Sequence, residues 1–177
     1  MKANTIQYEE ISLERLLAAR DERFRIQTRL RNENPEATLV VLTVVMPGKY
    51  KRTYETIAIA REACKAIERA LEGRIELFEH RNLPTGYEAY VLTDIPRYEV
   101  KQLMCQIEED HPLGRLFDID VFEEDGTPIS RIKAGQPARK CLICGKEARV
   151  CMRERNHSYE ELIAHICKLV SDYESRI

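Results

Sequence analysis

The chain of 177 residues has no tryptophan, only four histidines, and seven each of glycine and proline. No repeat and no low-complexity tract organises it, which excludes solenoids and tract-driven disorder. Long apolar runs are missing too. The longest, Leu39 to Met46, is interrupted by Thr43 and ended by Pro47, far short of the ~20 residues that span a bilayer. Met1-Lys2-Ala3-Asn4 opens no apolar segment, so neither a secretory signal nor a membrane association is expected. Neither charge sign dominates: 28 Lys plus Arg stand against 30 Asp plus Glu, a net charge of −2. That balance argues against a nucleic-acid partner, because phosphate contacts need a sustained basic face. No aromatic platform of strand residues is apparent for stacking bases.

What is present reads as a soluble, cytoplasmic, globular protein. Apolar residues make up 44% and charged residues 33%, enough for a packed core, and the length fits one domain. Six cysteines without a leader are expected to be thiols, either buried or metal-binding, rather than disulfides. The near-neutral total hides an asymmetry. Residues 131 to 155 hold eight basic side chains and two acidic ones, so this segment is +6 and the remainder −8. Such a block is a candidate surface for phosphates or an acidic partner.

Apolar spacing predicts a helix over 11–33, stopping before Pro35, with Leu13, Leu16, Leu17, Phe24 and Leu30 as its inward stripe. Arg20 falls on that stripe with Arg23 beside it, and a buried arginine must find an acceptor. Thr38 to Met46 reads as a buried strand, and Thr53 caps a helix to about Leu71. Short strands follow at Arg74–Glu79 and Tyr87–Leu92, then a helix from Pro96 to about Glu109 and a strand from Leu113 to Phe122. Glu124-Asp125-Gly126 is a turn, with Pro128 to Ile132 returning beside that strand. Ser158 and Glu161 form a capping box for a last helix to about Ser175. Cys64 and Cys105 lie on apolar helix faces and are expected in the core.

The fold class expected is therefore α+β: a ferredoxin-like βαββαβ core with an antiparallel sheet, an N-terminal helix and a C-terminal helical extension. Residues 1–177 form one domain, divided into an α/β core over 35–132 and a basic, cysteine-containing extension over 133–177. In that topology the last strand lies antiparallel beside the first. Lys49, Lys51 and Arg52 are then expected near His111, Gly114 and Arg115.

Two constellations carry chemistry. In Phe117-Asp118-Ile119-Asp120-Val121 the side chains alternate, so Asp118 and Asp120 share one face of a strand. Two carboxylates so placed repel unless solvated or bridged by a cation, and Mg²⁺ suits a carboxylate pair that works with substrate phosphates. Arg115 and Arg131 lie near in sequence and offer guanidinium clamps. Solvated aspartates on an exposed strand face are the plain alternative. The second constellation is Cys141-x-x-Cys144 with Cys151 and His157, a set able to ligate zinc. His165 and Cys167 are substitute ligands. The alternative is an empty knuckle with Cys151 on the core face of a helix.

Together, Leu17-Ala18-Ala19-Arg20-Asp21-Glu22-Arg23, His111-Pro112-Leu113-Gly114-Arg115-Leu116-Phe117-Asp118-Ile119-Asp120-Val121, Arg139-Lys140-Cys141-Leu142-Ile143-Cys144 and Val150-Cys151-x5-His157 resemble the holo-citrate lyase synthase family. These are the phosphoribosyl-dephospho-CoA transferases of citrate lyase. The resemblance spans nearly the whole chain. It departs at Ala19, where the family often carries serine.

The resemblance implies a nucleotidyltransferase-type enzyme serving citrate fermentation. Such enzymes take 2'-(5''-triphosphoribosyl)-3'-dephospho-CoA as donor, a serine of the apo acyl-carrier (gamma) subunit as acceptor, and release pyrophosphate. On that reading Asp118 and Asp120 are catalytic and hold Mg²⁺. Arg20, Arg23, Arg115, Arg131, Lys49, His111 and Gly114 contact phosphates, and the +6 segment docks the carrier. Two rivals stand beside it: a metal-dependent nucleotidyltransferase for another carrier, and a non-enzymatic zinc-knuckle binding module.

Overall fold

A computed structural model describes residues 8–176. Its elements, in chain order, are α1 (Leu13–Glu33), β1 (Thr38–Val44), α2 (Tyr54–Ala70), β2 (Ile75–Leu83), β3 (Gly86–Thr93), α3 (Arg97–Asp110), a 3₁₀ turn at Gly114–Leu116, β4 (Phe117–Val121), α4 (Ala148–Glu154) and α5 (Tyr159–Glu174). The described residues thus form an α+β protein with five helices and a four-stranded antiparallel sheet in the order β2-β3-β1-β4.

Local chemistry sets the helix starts. Ser12, Thr53 and Ser158 each accept the backbone N–H three residues on, at α1, α2 and α5. At Ser158 the Glu161 carboxylate closes the reciprocal capping box. Pairing is antiparallel throughout, with Thr43 opposite both Glu88 of β3 and Asp118 of β4.

Because strand side chains alternate, the sheet has two unlike faces. Val40, Leu42, Ala89, Val91, Phe117, Ile119 and Val121 pack against Ile59, Ala63 and Ile67 of α2, Val100 and Met104 of α3, and Ile166 and Val170 of α5. On the other face α1 buries a smaller patch with Leu30, formed by Leu39, Val41, Tyr90, Leu92 and Phe122.

Several expectations need correction. Leu13 is 71% exposed and Phe24 63% exposed, and Leu17 is exposed as well. α1 turns the flank carrying Leu16, Ala19, Arg23, Ile26 and Leu30 to the sheet instead, and only Leu30 is fully buried. Arg20 is accordingly exposed rather than inward. Leu113 to Leu116 is a turn, not strand. Its Gly114 is needed for close approach: a Cβ there would lie 2.6 Å from the Ile107 and Glu108 carbonyl oxygens. Pro128 to Ile132 forms no strand, only an isolated bridge between Phe122 and Pro128. The chain then turns so that Arg131 reaches α3. Cys105 is buried as expected, whereas Cys64 is half-buried beside the Tyr87 hydroxyl.

β4 is an edge strand, and its outward backbone is covered rather than bare. The Ile119 N–H donates to Glu108 Oε1 at 3.1 Å, and Lys101 Nζ donates to the Ile119 carbonyl at 3.0 Å. Both side chains are buried, so this edge offers no template to another chain.

Candidate active site

On the face toward α1, charge gathers where the roof ends. One row crosses the sheet from Asp118 through Thr43 and Glu88 to Arg81. The row below holds Asp120, Val41 and Tyr90. Thr43 Oγ1 donates to Asp118 Oδ2 at 3.2 Å. Glu88, buried although charged, accepts from Arg23 Nε at 3.0 Å and from the Tyr90 hydroxyl at 2.6 Å. Arg23 thus ties α1 to the sheet.

The aspartates differ in setting. The Asp118 side chain is 49% exposed. Asp120 lies deeper, and burial, reinforced by the Asp118 charge, pushes its carboxyl above the usual aspartate range. A more basic, partly desolvated carboxylate beside an open one suits proton uptake next to a cation site.

Beyond the β4 edge sits an arginine cluster. Glu108 bridges Arg131 Nη1 at 2.6 Å and Arg139 Nη2 at 2.8 Å. Burial pushes the Glu108 carboxyl up, against the pull of these arginines. Arg131 also holds Glu109 and donates to the Pro137 carbonyl. Arg139 donates to the Phe117 carbonyl and reaches Asp118 Oδ1 with Nη1 at 3.3 Å. Arg115 is half-buried, and among the described residues it forms no ion pair. Burial, with Arg139 and Arg131 nearby, lowers its pKa against the pull of Glu108.

Not every expected phosphate contact gathers here. Lys49 pairs with Glu10, Lys51 donates to the Met46 carbonyl and Arg52 to Asn82; the expected meeting with His111, Gly114 and Arg115 is absent from these contacts. His111 Nδ1 accepts from the Leu113 N–H at 3.0 Å, and its ring packs 4.9 Å from Phe117 and 5.4 Å from Tyr173. Burial lowers its pKa, so it locks the turn as a neutral ring. A cavity of about 220 Å³, lined by Tyr8, Tyr50, Tyr159 and Cys167 among others, includes none of the expected catalytic or phosphate-contact residues.

Cys141, Cys144, Cys151 and His157 do converge, with one ligand atom from each within 4.8 Å of the others. Lys140 bridges to Glu147, and the Cys141 N–H donates to the Lys146 carbonyl. This clasp places Cys141 and Cys144 over Cys151 of α4. Cys144 Sγ and Cys151 Sγ are 3.8 Å apart, and His157 Nε2 is buried with no hydrogen-bond partner. Burial works against the Cys141 thiolate, but the Cys144 and Ile143 N–H groups together with the Cys151 and Cys144 thiols outweigh it and bring the thiol down to about 6. The spacing alone left an empty knuckle open; the assembled donors form a cluster able to hold a metal ion. Cys167 lies elsewhere, beside Glu55.

Sequence reasoning missed Arg139, Glu88 and Thr43. A glutamate inside the otherwise apolar Tyr87–Leu92 run was the available signal for Glu88. The other two are joined to the site by strand register and loop path, which no local pattern encodes.

The half-exposed Asp118 and the deeper Asp120 thus lie beside an arginine cluster on an α+β scaffold. The matching family is described as apo-citrate lyase phosphoribosyl-dephospho-CoA transferase, over residues 11–173. A Streptococcus pyogenes serotype M18 protein is 40% identical over 169 residues, covering 93% of this chain and 88% of its own. A Vibrio cholerae serotype O1 protein is 35% identical over 170 residues, covering 92% and 93%. Both are named "Probable apo-citrate lyase phosphoribosyl-dephospho-CoA transferase". The chain belongs to this transferase family, which sets aside the binding-module reading. No helix among the described residues is long and apolar enough to cross a membrane.

Proposed function

We propose that the protein transfers the phosphoribosyl-dephospho-CoA unit of 2'-(5''-triphosphoribosyl)-3'-dephospho-CoA to a serine of the apo acyl-carrier (gamma) subunit of citrate lyase, in the cytoplasm. The observation that carries this, beside family membership, is the Asp118–Asp120 pair on the open sheet face. The serine oxygen attacks the phosphorus attached to the ribose 5'' oxygen. The bond from that phosphorus to the bridging oxygen breaks, and pyrophosphate leaves with the electron pair. Asp120 or Asp118 takes the serine proton as the oxygen attacks.

The carboxylate pair fits Mg²⁺, since two like charges at i and i+2 favour a shared cation. When bound there it supplies neutralisation of the developing phosphate charge. Arg115 and Arg20, which have no ion pair among the described residues, are the readiest phosphate contacts. Arg23, Arg131 and Lys49 reach phosphates only by exchanging Glu88, Glu108 or Glu10 for them. His111 and Gly114 shape the turn that presents Arg115. Zinc is the metal assigned to the Cys₃His clasp, because that donor set suits it.

Lys140, Lys146, Arg149, Arg153 and Arg155 are exposed and unpaired among the described residues. They form the dock for an acidic carrier. We read the βαββαβ order with its β2-β3-β1-β4 sheet as the ferredoxin-like arrangement, in one domain whose extension over 133–177 serves this docking.

Mass spectrometry of the apo-carrier after incubation with donor and Mg²⁺ tests the reading. The expected result is one added phosphoribosyl-dephospho-CoA unit on serine with one pyrophosphate released. A bare nucleotide mass would instead support a nucleotidyltransferase of different donor choice.

A further inference from the structure

The Cys₃His clasp lies at the far end of a continuous set of contacts that finishes on Asp118. Arg139 stands two residues before Cys141. Its carbonyl accepts the Ala148 N–H at 2.8 Å, at the start of the helix that carries Cys151. The Lys140–Glu147 bridge holds the same strip. The Arg139 backbone is therefore fixed at the mouth of the clasp. Its guanidinium has three partners: the Phe117 carbonyl, Glu108 Oε1 at 2.8 Å and Asp118 Oδ1 at 3.3 Å.

Besides the clasp, this strip is held by Arg131, which binds the Pro137 carbonyl, Glu108 and Glu109, and by Leu142 packed on the core. From Phe122 to Glu147 there is neither helix nor strand among the named elements, so the segment lacks a regular hydrogen-bond ladder. Ordering such a loop costs backbone conformational entropy at every residue. A metal that joins Cys141 and Cys144 to Cys151 and His157 offsets that cost, since the four donors are not gathered in the unfolded chain and binding energy therefore counts toward folding.

We propose that zinc in the Cys141–Cys144–Cys151–His157 clasp holds Arg139 against Asp118, and that Arg139 is a positioning residue for the carboxylate pair. The inference rests on the reading of Asp118 as part of the transfer site. The metal takes no part in the chemistry; it sets where the Asp118 carboxylate points. A pair already aimed at the reacting phosphate needs no reorganisation during transfer.

The test uses the full-length chain as purified. Metal analysis is expected to find one zinc per chain, retained in Arg139→Ala and lost in Cys144→Ser. The Arg139 guanidinium Nη–H signals, assigned in ¹⁵N NMR by their absence from Arg139→Lys, are expected to exchange slowly in the zinc form. They should exchange fast after chelation. Arg139→Ala should lower kcat roughly 10–100-fold, with KM for the donor little changed, and Arg139→Lys should recover part of the loss. The Cys144→Ser/Arg139→Ala double variant should fall no further than either single one.

No bound zinc, or an Arg139 signal indifferent to zinc removal, overturns the proposal. So does a rise in donor KM with unchanged kcat, which would make Arg139 a phosphate contact. If Cys144→Ser or the stripped protein unfolds, the kcat loss in zinc-loaded Arg139→Ala and its recovery with lysine decide the matter. The NMR measurement needs no substrate. A fully active Asp118→Asn would therefore sink the transfer-site reading while leaving the Arg139 result separately readable.

Discussion

The two faces of the sheet use the same strands to opposite ends. Toward α2, α3 and α5 the strands present aliphatic and aromatic side chains in one closed cluster. Toward α1 they present Thr43, Glu88, Asp118 and Asp120 across neighbouring strands, with only a small apolar patch under Leu30. β4 contributes to both: Ile119 is buried in the core, while Asp118 and Asp120 flank it on the other side. Because side chains alternate along a strand, a rigid packed floor can carry charged groups one residue from the core. The closed face supplies stability, and the open face keeps charge that a fully packed protein would exclude.

The contrast breaks most sharply at β4. Asp118→Asn is expected to reduce transfer roughly 10²–10⁴-fold, read as pyrophosphate release, with an unchanged melting curve. Ile119→Ala, its neighbour on the closed face, should cost about 2–5 kcal/mol of stability, measured by urea unfolding, through cavity formation rather than chemistry.

Asp120→Asn sharpens the comparison in the other direction. Folding raises the Asp120 carboxyl pKa, so the folded chain holds that proton more tightly. The associated stability is present below the unfolded pKa and is lost as pH rises through the folded one. At neutral pH its charge is therefore a liability, and Asp120→Asn should raise stability by roughly 0.5–2 kcal/mol while abolishing transfer. The gain should fade below about pH 4, near the unfolded aspartate pKa; a pH series of melts checks this.

Smaller effects belong to the periphery. Reversing Arg149 and Arg153 to Glu should weaken carrier binding several-fold at low salt and less at high salt, as screening predicts; titration calorimetry at two ionic strengths measures it. Phe24→Ser, on the exposed flank of α1, should change stability by no more than about 0.5 kcal/mol, since it removes no core contact.

Much of the closed face was legible in the sequence. The caps at Thr53 and Ser158, the β-branched run from Thr38 and the alternation through Phe117–Val121 each state a local rule, and the structure follows them. The open face was less so. α1 was expected to bury Leu13, Leu17 and Phe24, because apolar spacing points to a core. It rests on a partly charged surface instead, and Arg23 meeting Glu88 helps choose its flank. The return strand after Gly126 failed because Arg131 is drawn to Glu108 and Glu109, which closes the chain into a turn. The aspartate pair was readable from period-two alternation. Its partners Thr43 and Arg139 depend on strand register and on a long loop, so no window of sequence contains them together.

The central claim is that transfer occurs on the open face, at Asp118 and Asp120. A crystal structure with the triphosphate donor and Mn²⁺ in place of Mg²⁺ tests it most directly. The expected result is an anomalous peak shared by the Asp118 and Asp120 carboxylates and the donor phosphates, with Arg115 on the phosphate oxygens. Donor phosphates and manganese seated elsewhere, such as the tyrosine-lined cavity beside α5, with both aspartates unligated, would contradict it.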